Sequence, residues 1–211
     1  MLKSLPLRIF LLALLIILMG SFSAMADDCP DLIEGECAGG TAWFGLRHDG
    51  AVVAQGQTVT LICDSAVLSA EFMFVVSGNP NAGVPSMVAG DEIHLVLADA
   101  DGNHLTSATA AIPTDVFDDW LEFIFPENFV VPVGQYKLLA YTTVERQCSF
   151  RFAYGDGADC YDGGNRVVSV NGIEGPWGDS GVNDTPFRLH ILGDILPNES
   201  HTWDSIKGMY R

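Results

Sequence analysis

From Thr41 to Leu192 the chain reads as short runs rich in β-branched and aromatic residues, divided by clusters of Gly, Asn, Asp and Pro. The runs are Thr41 to Arg47, Thr58 to Cys63, Val67 to Val76, Glu92 to Ala98, Leu121 to Phe125, Tyr136 to Val144, Cys148 to Tyr154, Arg166 to Val170 and Phe187 to Leu192. The breaks include His48-Asp49-Gly50, Ser77 to Gly83, Asp99 to Asn103, Gly155 to Asp159 and Gly172 to Asp184. No stretch here keeps a 3.6-residue apolar period long enough for a packing helix. Short strands joined by turns bury their apolar faces against one another. The expected fold is therefore all-β, a single antiparallel two-sheet β-sandwich of jelly-roll type. One helical turn is expected at Thr114 to Trp120, with Thr114 as its cap.

The two ends read differently. Lys3 and Arg8 precede the apolar run Ile9 to Met19, and Ala24-Met25-Ala26 sets small residues at the −3 and −1 positions of a cleavage site. The run is shorter than the ~20 residues of a membrane-spanning helix. Residues 1–26 are thus expected to be a cleavable signal peptide, and the mature protein to be secreted: extracellular, at the cell surface or periplasmic. Residues 27–196 would form the sandwich, and 197–211 a linker and tail. In the tail Trp203, Ile206 and Tyr210 have amphipathic helical spacing, and Lys207 and Arg211 give it a basic end. It resembles a Trp-x-x-Ile-Lys-x-x-Tyr-Arg ending that recurs on secreted proteins of some environmental bacteria.

The chain carries 27 acidic and 10 basic residues, a net charge of −17. Loss of Lys3 and Arg8 makes the mature protein more acidic still. Such a surface repels phosphate backbones and anionic lipid, so neither nucleic acid nor, after cleavage, a membrane is expected as partner. The acids are spread along the chain, as on a solvated surface.

Five cysteines in an exported chain point to disulfides with one thiol over. Cys63 ends the alternation Val59-Leu61-Cys63, and Cys148 begins Cys148-Phe150-Phe152-Tyr154. Both would face the core, and Cys63–Cys148 is the preferred pair. Cys29 and Cys37 flank a short acidic loop and are expected to close it. Cys160 is then the odd residue, with Cys148–Cys160 as a competing pair. With no CxxC pair and isolated histidines, a structural zinc site is not expected.

The order of several segments is similar to that of the bacterial secreted β-sandwich modules called choice-of-anchor domains, over roughly residues 55–193. Gln57 to Ala70 resembles their opening strands with a central Cys, and Asp91 to Ala98 and Leu121 to Phe125 the strands that follow. Val133-Gly134-Gln135-Tyr136 resembles an x-G-x-Y strand start. Cys148 to Tyr154, then Tyr161-Asp162-Gly163-Gly164, then Asp184-Thr185-Pro186-Phe187-Arg188 resemble the closing Y-x-G-G and D-L-x-F-R pattern. The resemblance implies a fold like that of carbohydrate-binding jelly rolls and an accessory or surface role without assigned chemistry. Tyr161-Asp162 departs from the pattern by standing where a proline-containing turn is usual. The free-standing length is a second departure.

Candidate site residues follow from both readings. Trp177 sits among turn formers in Glu174 to Asp179, where an exposed ring can stack on a sugar. Tyr154 and Tyr161, which hold the loop between them, are set beside it as candidate ligand contacts. Asp156, Asp159 and Asp162, three carboxylates at spacing three among glycines, are the candidate Ca²⁺ ligands, and no other cofactor is expected. Asp99-Ala100-Asp101-Gly102-Asn103 alternates oxygen ligands but lacks the later Glu of a calcium loop, and reads as a hairpin turn. Gly178-Asp179-Ser180-Gly181 has the look of a protease nucleophile segment, without the context of a base. No complete catalytic motif is present and no catalytic residue is named. The expected function is non-catalytic binding of a glycan or other extracellular polymer. Assembly into a surface layer, fibre or appendage is second, and an uncharacterised hydrolase third.

Overall fold

The protein's structure, a computed structural model, describes residues 29–36, 39–47, 49–76, 83–126, 129–152, 160–180 and 183–193. The leader and the tail lie outside these residues, as do Cys37, Tyr154, Asp156 and Asp159. The strands are β1 (Leu32–Gly35), β2 (Gly40–Leu46), β3 (Val52–Leu61), β4 (Ser65–Val76), β5 (Glu92–Asp99), β6 (His104–Ala111) and β7 (Phe117–Ile124). They continue with β8 (Val130–Val131), β9 (Gly134–Tyr141), β10 (Gln147–Phe152), β11 (Arg166–Ser169), β12 (Gly178–Asp179) and β13 (Phe187–Gly193). A single 3₁₀ turn, Gly172–Glu174, is the only helical element among the described residues. Among them, no helix is long and apolar enough to cross a membrane.

The strands form one antiparallel path, β1-β13-β4-β10-β2-β3-β9-β5-β6, with β7 and β8 beside β4 and with β11, then β12, beside β3. The path doubles over into a two-layer sandwich. Sheet I holds β1, β2, β4, β7, β8, β10 and β13, and sheet II holds β3, β5, β6, β9, β11 and β12. β2 and β3 pair only at Gly45↔Val53 and Leu46↔Val52, where the chain passes between layers.

Alternation along the strands fills the space between the sheets. Sheet I turns Phe44, Phe72, Phe74, Phe123, Phe150 and Phe187 inward, all fully buried, against Val59, Ile93, Leu95, Leu97 and Leu138 of sheet II. Phe150 is the hub, 4.8 Å edge-on from Phe74, 5.4 Å from Phe72 and 5.8 Å from Phe44. Each such ring contributes about 1.5–3 kcal/mol by leaving water. The β4–β13 ladder skips one residue, pairing Ser69 with His190 and then Val67 with Ile191. That bulge at Leu68 lets both Val67 and Ala70 face the core, which strict alternation forbids.

Four expectations are corrected here. Cys63 pairs with Cys29, not with Cys148. β3 ends at Leu61 and the chain bends at Ile62 and Cys63, so the alternation that would turn Cys63 into the core stops before it. The bridge lies instead at the rim, against Gly193, where a Cβ would stand 2.0 Å from that of Cys29. Cys148 is a free thiol, buried beside the phenylalanines, and burial holds its pKa far above the ordinary value. Cys29 therefore does not close a loop with Cys37, and Cys160 is not the odd residue, for it too is in a disulfide. The helical turn at Thr114 to Trp120 gives way to β7, whose Phe117 to Ile124 pair without a break along β4 from Val76 to Ser69. Thr114 donates its hydroxyl to the Val116 carbonyl rather than capping a helix.

Candidate functional site

The outer face of sheet II carries a small second apolar cluster. One row of paired residues crosses all six of its strands: Ser107, Val96, Leu139, Gly56, Val167 and Asp179. Val96, Leu139 and Val167 point away from the main core yet are buried, as is Ala98. The segment between β11 and β12 covers them, and Trp177 and Tyr141 pack half-buried on the cluster.

Local chemistry fixes Trp177 in place. Two residues after it, Asp179 pairs with Val167, and Gly178 pairs with Val168. Asn171 Nδ2 donates to the Gly175 carbonyl at 3.0 Å, closing the loop below the ring. Gly175 has φ +73° and a Cβ there would meet the indole Cδ1 at 3.3 Å, so both its backbone and its space call for glycine. In the neighbouring row His94 stands between Thr109 and Tyr141. Its ring stacks on Tyr141 at 5.1 Å and 25°, and Nδ1 lies 3.0 Å from Thr109 Oγ1. Three half-buried rings thus share one sheet face, and two of them, Trp177 and Tyr141, rest on its apolar floor.

The segments that resemble the closing choice-of-anchor pattern meet in a different place. Asp184, buried on β3's flank, accepts from Gln57 Nε2 at 2.8 Å and from the backbone N–H groups of Cys160 and Tyr161 at 2.8 and 2.9 Å. The Gln57 Oε1 accepts from Thr185 N–H at 3.0 Å. Gln55 passes the network on, its Oε1 accepting from Arg166 Nε and Nη2 at 2.9 and 2.6 Å while its Nε2 donates to the Trp43 carbonyl. Burial pushes the Arg166 pKa down to about 10. A Cβ on Gly164 would stand 2.1 Å from the Thr58 carbonyl oxygen, so this loop lies directly on β3.

Tyr161 belongs to this clasp. Its hydroxyl accepts from Thr60 N–H at 2.9 Å, and its ring sits edge-on to Phe187 at 5.0 Å. It faces inward, packed against the main core. Asp162 is exposed, and its proposed co-ligands Asp156 and Asp159 lie outside the described residues. Among the described residues no three His, Cys, Asp or Glu side chains gather as metal ligands. In the Asp99 to Asn103 turn, Gly102 has φ +91° and the Asp99 carboxylate accepts from Asn103 N and Nδ2, both at 2.8 Å. Those bonds, with the side-chain one foremost, lower the Asp99 pKa.

Ser180 Oγ is buried with no hydrogen-bond partner among the described residues, whereas an activated nucleophile is bonded to its base. His94 is engaged with Tyr141 and Thr109, and His190 lies 3.1 Å from Glu71. On the outer face of sheet I the Arg188 guanidinium stands 4.1 Å over the Trp120 ring, held by Glu36 and by Glu71 at 3.3 Å. That cation–π contact covers one ring face. Trp43 is 40% exposed at the far side of the same sheet.

Sequence reasoning singled out Trp177 but missed Tyr141 and His94, whose partners come from β5, β6 and β9. It also missed the Gln57–Asp184 clasp. The only signal was two uncharged amides, Gln55 and Gln57, in a strand whose other residues are small, apolar or threonine. No protein-family model matches the chain, and no match is found among curated proteins.

Proposed function

We propose that this is an exported, non-catalytic β-sandwich that binds an uncharged polysaccharide on the outer face of sheet II. The observation that carries the reading is Trp177, half-buried on the Val96, Leu139 and Val167 floor beside the His94–Tyr141 stack. A half-buried indole packed on an apolar floor is a surface that can stack on a pyranose ring, while nearby polar groups bond its hydroxyls. The net charge of −17 disfavours an anionic polymer and favours a neutral one. Export is supported by the leader-like N-terminus and by the Cys29–Cys63 bridge, since disulfides persist in oxidising compartments. The resemblance to carbohydrate-binding-like modules points the same way.

The test is affinity electrophoresis and calorimetry of the mature chain against neutral polysaccharides. Binding to at least one, weakened tenfold or more by Trp177→Ala and unchanged by Trp43→Ala, is the expected result. Absence of binding to every neutral polymer, or equal binding by the Trp177→Ala protein, would overturn the reading.

A further inference from the structure

The open edges of the two sheets are not alike. An edge strand offers unpaired N–H and C=O groups to any passing strand, and proteins blunt such edges with short strands, charge, proline or a cover. β1 has four residues and carries Glu34, and β8 and β12 have two residues each. β7 is long, but Asp118, Asp119 and Glu122 give it three negative charges in eight residues. The side of β2 away from β10 pairs with β3 at Gly45 and Leu46, and Gln55 takes the carbonyl of Trp43.

β6 is blunted neither by charge, nor by proline, nor by shortness; its one irregularity is a bulge at Leu105, between the Leu97–Thr106 and Ala98–His104 pairs. Its eight residues, His104-Leu105-Thr106-Ser107-Ala108-Thr109-Ala110-Ala111, include no acid, no Lys or Arg and no proline. Among the described residues β6 pairs with β5 alone, and His104, Leu105, Ser107, Thr109 and Ala111 are exposed. In a chain with net charge −17 this is a long neutral edge on a strongly charged body.

We propose that β6 is a pairing edge for a second copy of this chain, joined antiparallel so that sheet II runs on through both molecules. The strand is compatible with its own image. A twofold axis at Ser107 sets Ser107 against Ser107 and Thr106 against Ala108, within the regular part of the strand, with no charge opposing a like charge. The faces also match. Ala108 and Ala110 side with the core, Ser107 and Thr109 with the outer face, and a symmetric register about Ser107 keeps each on its own side. The edge strands β1, β7 and β12 would each bring carboxylates to the seam. The contact is reversible, because an edge roughly 27 Å long buries less than the roughly 1,200 Å² of a stable interface. The two bodies repel, so pairing strengthens with salt.

Sedimentation of the mature chain from 5 to 500 µM, in 20 mM and 500 mM NaCl, tests this. A monomer–dimer equilibrium favoured by high salt is expected. Ser107→Lys should weaken it at least tenfold, and Gln135→Lys, an equal charge change away from the edge, should leave it as it was. Melting curves of both variants establish that they are folded. Hydrogen exchange gives a second reading: β6 amides should slow with protein concentration while β7 amides do not. A monomer at 500 µM in both salts, or a dimer indifferent to Ser107→Lys with no slowing in β6, overturns the proposal.

Discussion

Gln57 and Asp184, 127 positions apart, meet inside the sandwich through a 2.8 Å hydrogen bond from Nε2 to Oδ1. Both are buried, so neither can exchange this partner for water. The carboxylate also gathers the N–H groups of Cys160 and Tyr161, and the same glutamine receives Thr185 N–H. One pair therefore fixes two loops to the middle of β3.

Asp184→Ala leaves the Gln57 amide and two backbone donors without their acceptor in a buried place. A loss of about 3 kcal/mol is expected, or about 10 °C in Tm for a chain of this size. Thermal unfolding of the two proteins at pH 7 checks it, and a fall under 2 °C would mean that water replaces the carboxylate. Gln57→Leu should be nearly as damaging, and the double variant less than additive.

Gly164→Ala places a methyl 2.1 Å from the Thr58 carbonyl oxygen, a backbone atom with little room to yield. The loop must lift from β3, taking Tyr161 with it. The expected signs are a lower Tm and faster exchange of the Thr60 amide, which donates to the Tyr161 hydroxyl. Gly102→Ala, where the added Cβ meets nothing within 4 Å, bears only the strain of its φ of +91° and should fall less.

Mass spectrometry of the unreduced, digested protein should show Cys29 joined to Cys63, and Cys148 as a thiol that reacts with alkylating reagents only after unfolding. The bridge spans a separation of 34 residues. Replacing both of its cysteines by Ser should lower stability by about 4 kcal/mol on chain-entropy grounds. A Cys63–Cys148 peptide would contradict the register of β10 against β2.

Stability should decline on the alkaline side. Burial holds Cys148, Tyr136 and Tyr161 above their ordinary values of 9.0, 10.0 and 10.0. The folded state keeps these protons after the unfolded chain has lost them, so their contribution is complete below the ordinary values and is lost as pH climbs past them. Arg166 works the other way: its folded-state value of about 10 lies below 12.5, so the penalty for its burial eases as pH rises between the two. Between pH 8 and 10 the first effect governs. Tm should fall across that range, with a shallower slope in Cys148→Ala. An equal slope in that variant would remove the thiol from the account.

Much of the architecture is legible in the residues, and the gaps have physical causes. β4, β5, β9 and β13 announce themselves because Val, Ile, Leu and Phe alternate or run together between turn residues. β6 hides because Thr, Ser and Ala need only cover a sheet edge. β7 is half masked by Asp118 and Asp119, which solvent accepts and a helix start would equally welcome. For Trp177 the turn-rich setting was visible. Its floor was not, because Val96 and Val167 look like core residues until pairing turns them to the outer face. The disulfide misled because alternation was extended through the bend at Cys63, where strand geometry had already ended.

The first strand of the sandwich, β1, lies against the last, β13, with Leu32 opposite His190 and Gly35 opposite Phe187. β13 in turn completes β4, the longest strand of sheet I. No early portion of the chain can therefore reach its final shape by itself. A polypeptide emerging N-terminus first must keep Phe72, Phe74 and Ile33 waiting until Gly193 has appeared, and only then can the barrier to folding be crossed. Such a chain is by construction late to fold.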